Sequence, residues 1–264
     1  MKTIHVESTL DGTLQPSLFF HPRTDAPVPL VVGFHTWSYD RFNQAENYLP
    51  LCERYGWALL LPEFRGPNLA SNPHCTDACG SLKARRDVLD AVEHVSRISA
   101  IDRGNIFLLG CSGGGHAALL TAEDAPEVFR AVDAWCPVSD LNAWHAYLTE
   151  TRQHYVHDME ACLGGSPDAV PDEYALRSPS ERSAALKSVA VSVHHGRHDT
   201  VVPYRHSVDF VRRLEAEGAE NVYFEVFDGE HEQFPAHSFE WFARLANVRP
   251  PEEAANPAAV RITG

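Results

Sequence analysis

Ser112 lies in Gly110-Cys111-Ser112-Gly113-Gly114, a G-x-S-x-G pentapeptide. The apolar run Asn105-Ile106-Phe107-Leu108-Leu109 before it reads as a buried strand, and Gly115-His116-Ala117-Ala118-Leu119-Leu120 after it reads as a helix. A serine on such a strand-to-helix turn is a nucleophile elbow. Small neighbours tolerate the strained backbone, lift the hydroxyl above the sheet and let a substrate carbonyl approach. Taken alone, the pentapeptide fits equally well a glycine-rich turn that only joins strand to helix, so the remaining residues must decide.

A serine hydroxyl is a weak nucleophile near neutral pH. It needs a base, and the base needs a partner that holds its tautomer and stabilises the imidazolium. Asp199, in His195-Gly196-Arg197-His198-Asp199-Thr200-Val201-Val202-Pro203, follows the apolar run 189–194, and His231, in Asp228-Gly229-Glu230-His231, follows the last apolar run, 222–227. Both are then expected at the carboxyl edge of a sheet, and the chain order Ser112, Asp199, His231 is the one this elbow requires. Asp199 alone would pass for a turn or capping residue, and fifteen histidines make one in a loop unsurprising. The weight lies on three placements in a fixed order. His194, His195 and His198 compete for the base role, but they share a loop with Asp199 and read as shaping it; His116 reads as packing beneath the site.

Acyl transfer also passes through an oxyanion, which this elbow stabilises with two backbone N–H groups. One belongs to the residue after the nucleophile, Gly113. The other comes from the loop after an early strand, here His35-Thr36-Trp37 after Leu30–Phe34, with Trp37 the expected donor and Thr36 the alternative.

These residues need a scaffold that brings strand ends together. Residues 3–8 and 16–21 alternate around Asp11-Gly12 and read as an antiparallel hairpin. Strands are expected at 30–34, 56–62, 105–109, 129–136, 189–194 and 222–227, and helices at 44–55, 81–99, after the elbow, 204–217 and 238–248; 101–105 reads as a turn. Repeated β-α alternation implies an α/β fold, a mostly parallel central sheet with helices on both faces. Residues 1–248 are expected to form one domain and 249–264 a C-terminal tail. Residues 138–178 break the alternation with Trp144, Tyr147, His154, Tyr155 and His157, an insertion with exposed aromatics that reads either as a lid or substrate wall or as a helical excursion packed on the domain.

A formal net charge of −14 over 264 residues argues against a nonspecific grip on nucleic acid or anionic lipid. The N-terminus lacks the pattern of a signal peptide and no apolar run reaches membrane-spanning length, so the expected location is cytoplasmic, with the six cysteines as free thiols. Cys75 and Cys79, with His74 and Asp77, resemble half of a metal knuckle, but no second ligand pair follows at zinc-like spacing. No metal and no cofactor are expected. Gly113-Gly114-Gly115-His116-Ala117-Ala118 also matches a dinucleotide fingerprint with Asp133 as its acid, yet it sits midway along the sheet instead of in a first βαβ unit.

Several segments together resemble the catalytic domain of the prolyl oligopeptidase-like branch of α/β-hydrolases, the dipeptidyl aminopeptidase and acylaminoacyl peptidase type. They are Ser8 to Pro22, Glu63-Phe64-Arg65-Gly66, Asp87-Val88-Leu89-Asp90-Ala91, Ile101-Asp102-Arg103, Cys136-Pro137-Val138-Ser139-Asp140, Tyr174 to Pro179 and His195 to Pro203. The resemblance covers nearly the whole chain after the hairpin and implies the α/β-hydrolase fold. It implies Ser112, Asp199 and His231 as a triad, with Gly113 and the residues after His35 at the oxyanion site. Three departures stand out: the peptidases' large N-terminal β-propeller is absent, His35-Thr36-Trp37 replaces the usual glycine-rich loop, and Gly113 stands where a tyrosine is common. The resulting expectation is a stand-alone carboxylesterase acting on a small-molecule ester through an acyl-enzyme. The alternative is a prolyl oligopeptidase-like peptidase; an acyltransferase and a binding protein that has lost its chemistry are further readings.

Overall fold

The apolar runs pair into one eight-stranded sheet in the computed structural model, which describes residues 1–248 and the short strand Val260–Arg261. β1 (Lys2–Glu7) and β2 (Leu14–Phe20) form the expected hairpin. β3 (Val28–Phe34), β4 (Ala58–Pro62), β5 (Ile101–Cys111), β6 (Ala131–Trp135), β7 (Ala190–Gly196) and β8 (Val222–Phe227) follow. The order across the sheet is β1-β2-β4-β3-β5-β6-β7-β8, with β2 antiparallel to both its neighbours and every pair from β4 to β8 parallel. This is the α/β fold read from the sequence, antiparallel hairpin included.

Central parallel strands are covered on both faces, which is why they read as unbroken apolar runs. Alternate residues serve two cores. Val32, Leu60, Leu108, Val132 and Val193 pack under α2 (Leu82–Ile98), α3 (Gly113–Asp124) and α7 (Arg205–Ala216). Val31, Leu59, Phe107 and Trp135 meet Tyr48 of α1 (Ala45–Tyr55) and Phe239 and Phe242 of α8 (Pro235–Leu245) on the other side. α8 starts earlier than the periodicity suggested because Pro235 occupies its first turn, where a missing N–H costs nothing. The expected turn at 101–105 is a bulge inside β5: the register slips from Val28↔Ile101 to Leu30↔Ile106, and the Asp102 carboxylate accepts the Gly104 N–H at 3.0 Å.

The insertion corrects one expectation. Residues 138–178 form α4 (Leu141–Thr151), α5 (Tyr155–Leu163) and α6 (Pro171–Leu176), and their larger aromatics are not exposed. Trp144, Tyr155 and Tyr174 are buried in a third core with Leu148, Met159, Trp37 and Val202. Trp144 with Leu148 and Tyr155 with Met159 are spaced i, i+4, which puts each pair on one helix face, and that face is apolar enough to dock onto the sheet's carboxyl edge. His154 and His157 remain on the surface and Tyr147 is half-buried. The expected tail 249–264 lies outside the described residues except for β10 (Val260–Arg261), which pairs antiparallel with β9 (Glu232–Gln233). Among the described residues no helix is long and apolar enough to cross a membrane.

Candidate active site

β5 delivers Ser112 into a backbone conformation of φ 56°, ψ −124°, strained for a residue with a Cβ. Its N–H donates to the Trp135 carbonyl of the neighbouring strand end at 2.8 Å, which fixes the elbow's height above the sheet. The residue is 6% exposed, at the N-terminus of α3, where unpaired N–H groups favour developing negative charge. Ser112 Oγ makes no hydrogen bond among the described residues; such contacts in unliganded hydrolases often tighten only on substrate.

Asp199 sits in the loop after β7, and its carboxylate is fully engaged. Oδ1 accepts the backbone N–H groups of Val201 and Val202 at 2.8 and 2.9 Å, while Oδ2 lies 2.6 Å from His231 Nδ1 and 3.1 Å from His195 Nε2. Burial by itself raises a carboxyl pKa; here the hydrogen bonds from His195 and His231 outweigh it and hold Asp199 well below the usual carboxylate range. His231, buried in the loop after β8, shows the complement. Burial disfavours its charged form, yet the hydrogen bond to the Asp199 carboxylate holds its pKa above the ordinary 6.5. The two loops meet closely at Gly196, where an added Cβ would fall 1.9 Å from the Glu230 carbonyl oxygen.

The loop after β3 leaves the N–H groups at its two candidate positions differently engaged. The Thr36 N–H is already spent on Asn43 Oδ1 at 3.0 Å, and its hydroxyl lies 3.2 Å from the same atom. The Trp37 N–H has no acceptor among the described residues. Gly113 is the first residue of α3, a position with no intrahelical acceptor. A Cβ on Gly113 would lie 2.8 Å from Trp37 N and Cα, so the two free N–H groups are neighbours and only a glycine lets them approach. His35, stacked on Phe64 at 3.9 Å, anchors the loop from behind.

The other histidines divide as their surroundings dictate. His116 is fully buried with Nε2 2.6 Å from the Arg177 carbonyl, and burial pushes its pKa down to about 4. His198 pairs with Asp228 at the surface. His194 stacks on Trp135 at 4.0 Å, between Asp133 and Glu225, away from the elbow. Asp133 itself is buried in the middle of β6, a place no ribose hydroxyl reaches, which removes the acid of the dinucleotide fingerprint. The Cys162 thiol of α5 meets those of Cys75 and Cys79, and all three are free. Among the described residues the one trio of ligating atoms close enough to share an ion is Cys136, His195 and Asp199, within 4.8 Å of one another.

Residues 56–247 match the prolyl oligopeptidase family. The chain belongs to that family. Among curated relatives, it is 26% identical over 145 residues to the uncharacterized peptidase YtmA of Bacillus subtilis, covering 54% of either chain. It is 28% identical over 210 residues to the human acylamino-acid-releasing enzyme, covering 76% of this chain and 28% of the relative. The chain thus spans about half or less of these relatives. Among solved structures, the Pyrococcus horikoshii acylaminoacyl peptidase superposes with a TM-score of 0.71 at 18% identity, over 93% of this chain and 40% of the other. A Mycobacterium tuberculosis puromycin-hydrolyzing peptidase superposes with a TM-score of 0.70 at 19% identity, over 94% and 40%. Likeness at this identity speaks for the fold.

Within this prolyl oligopeptidase-family scaffold, sequence reasoning missed the braces. Trp144 Nε1 donates to the Val201 carbonyl at 2.9 Å, and the Tyr147 hydroxyl and Gln153 amide donate to the Thr200 carbonyl at 2.6 and 3.1 Å. Nothing local in the sequence marks these pairs, which join residues about fifty positions apart. Asn43 was equally silent. His195 carried a signal in its position four residues before Asp199, and its contact with that carboxylate emerges only in the fold.

Proposed function

We propose that this prolyl oligopeptidase-family chain is a serine hydrolase whose substrates are acylated amines, peptides or N-acylated amino acids, cleaved through an acyl-enzyme. The observation that carries the reading is the 2.6 Å hydrogen bond between buried Asp199 and His231 Nδ1, which leaves Nε2 free to serve as base. Ser112 Oγ attacks the carbonyl carbon as His231 takes its proton, and the carbonyl oxygen becomes an oxyanion between the N–H groups of Gly113 and Trp37. His231 then protonates the leaving amine, the C–N bond breaks, and water repeats the sequence on the ester of Ser112.

The relatives' names favour amide cleavage over the ester hydrolysis expected from the three departures, and the same machinery serves both. The insertion acts as a fixed wall of the site, a role supported by its buried aromatics and its hydrogen bonds to the Asp199 loop. The reading includes a single catalytic domain over 1–248 and a reducing, cytoplasmic setting, the latter supported by six free cysteines. The experiment compares turnover of aminoacyl and N-acyl-aminoacyl 4-nitroanilides with p-nitrophenyl butyrate, for the protein and for Ser112→Ala. Anilide cleavage that vanishes in the variant is expected. Cleavage of the ester alone would return the function to a carboxylesterase.

A further inference from the structure

We infer that His195 is a positioning residue for the acid–base pair, an N–H donor on the same Asp199 oxygen that binds His231, which sets the carboxylate's angle and moderates its pull on the base. The inference rests on the reading of Ser112, Asp199 and His231 as the catalytic set.

His195 is fully buried near the end of β7. Its Nε2 lies 2.8 Å from the Val202 carbonyl and 3.1 Å from Asp199 Oδ2, two groups that only accept, so Nε2 carries the hydrogen. Its Nδ1 lies 2.7 Å from Ser207 Oγ of α7. Ser207 is itself buried, and its hydroxyl has no other acceptor among the described residues. The contact with the Ser207 hydroxyl holds the ring so that Nε2–H faces Asp199.

Asp199 thereby receives four N–H groups, from Val201 and Val202 on Oδ1 and from His195 and His231 on Oδ2. Two donors on each oxygen hold the carboxylate against rotation about its Cβ–Cγ bond more firmly than one would, and each donor draws off charge that would otherwise act on His231. The groups facing His195 are few. Asp199 comes from its own loop, Cys136 from the end of β6, His206 from α7 and His231 from the loop after β8. The Cys136 thiol donates to the Glu232 carbonyl at 3.5 Å, and burial keeps His206 neutral, its pKa pushed down to about 4. Loss of the His195 N–H leaves Oδ2 with His231 as its single donor, so the carboxylate gains freedom while its hold on the imidazolium strengthens.

The test measures the second-order rate at which a fluorophosphonate labels Ser112, across pH, for the full chain, His195→Met and His195→Gln. The methionine fills the space without a donor; the glutamine amide offers an N–H at the depth of Nε2. The methionine variant is expected to label about 10- to 100-fold more slowly, with the midpoint of the acidic limb moved to higher pH. The glutamine variant is expected to recover most of the rate and the original midpoint. Equal rates and midpoints in all three proteins would overturn the inference. So would an equal fall in both variants with an unmoved midpoint, since that pattern belongs to packing alone. Failure of the unaltered protein to label Ser112 at all would instead overturn the catalytic reading beneath it.

Discussion

Trp144 donates its indole N–H to the Val201 carbonyl, two residues beyond Asp199, at 2.9 Å. Its ring meets that of Trp37 edge-on at 4.8 Å. One side chain of the insertion thus touches both the Asp199 loop and the His35-Thr36-Trp37 loop. Trp144→Phe keeps most of the ring and removes the donor. The expected outcome is a loss of about 1 kcal/mol in urea unfolding, the worth of one hydrogen bond, together with a severalfold fall in kcat/KM. Unaltered turnover would show that the insertion does not hold the acid loop.

Gly113→Ala tests the oxyanion pair. The new Cβ would lie 2.8 Å from the Trp37 backbone, so one of the two segments must move. Turnover is expected to fall by about 10²- to 10³-fold, the effect of losing one such donor, while circular dichroism stays native. Full activity would place the oxyanion elsewhere.

In the proposed mechanism the pH dependence of activity follows from the opposed shifts of Asp199 and His231. Asp199 is held below the carboxylate range and stays ionised, and His231 is held above 6.5. His231 acts as base only when neutral, so the acidic limb of kcat/KM is expected to lie above pH 6.5, with activity still rising into the alkaline range. Asp199→Asn is expected to reduce kcat by about 10⁴-fold through the wrong histidine tautomer. A limb below the free-histidine value would show that Asp199 does not govern His231.

Stability should carry a separate signature from His194. Burial opposes its charge, but Asp133 first and Glu225 after it outweigh burial and raise its pKa. A raised histidine contributes stability that is complete below its unfolded pKa and is lost as pH climbs through the folded one. Denaturation between about pH 6 and about pH 9 is expected to show a larger loss for the protein than for His194→Gln. Parallel losses in the two would mean that His194 is neutral beside Asp133.

What the sequence made legible follows from periodicity and strand ends. β8 ends at Phe227, as its apolar run does, and Ser112, Asp199 and His231 each follow an apolar run, so their common edge could be read without coordinates. Burial was the harder quantity. Trp144 and Tyr155 read as exposed because their segment breaks the β-α alternation, and only their i, i+4 partners Leu148 and Met159 reveal the buried face. Which of Thr36 and Trp37 keeps an unbonded N–H was closed to sequence because it depends on Asn43, seven residues from Thr36, claiming one of them. The elbow's strain and the four donors on Asp199 are likewise properties of packed loops.

The most direct measurement is peptide mapping by mass spectrometry after fluorophosphonate treatment of the protein and of Ser112→Ala. One adduct is expected, on the peptide that contains Ser112 and absent from the alanine variant. An adduct on another residue, or labelling unchanged in Ser112→Ala, would contradict the assignment of Ser112 as the nucleophile.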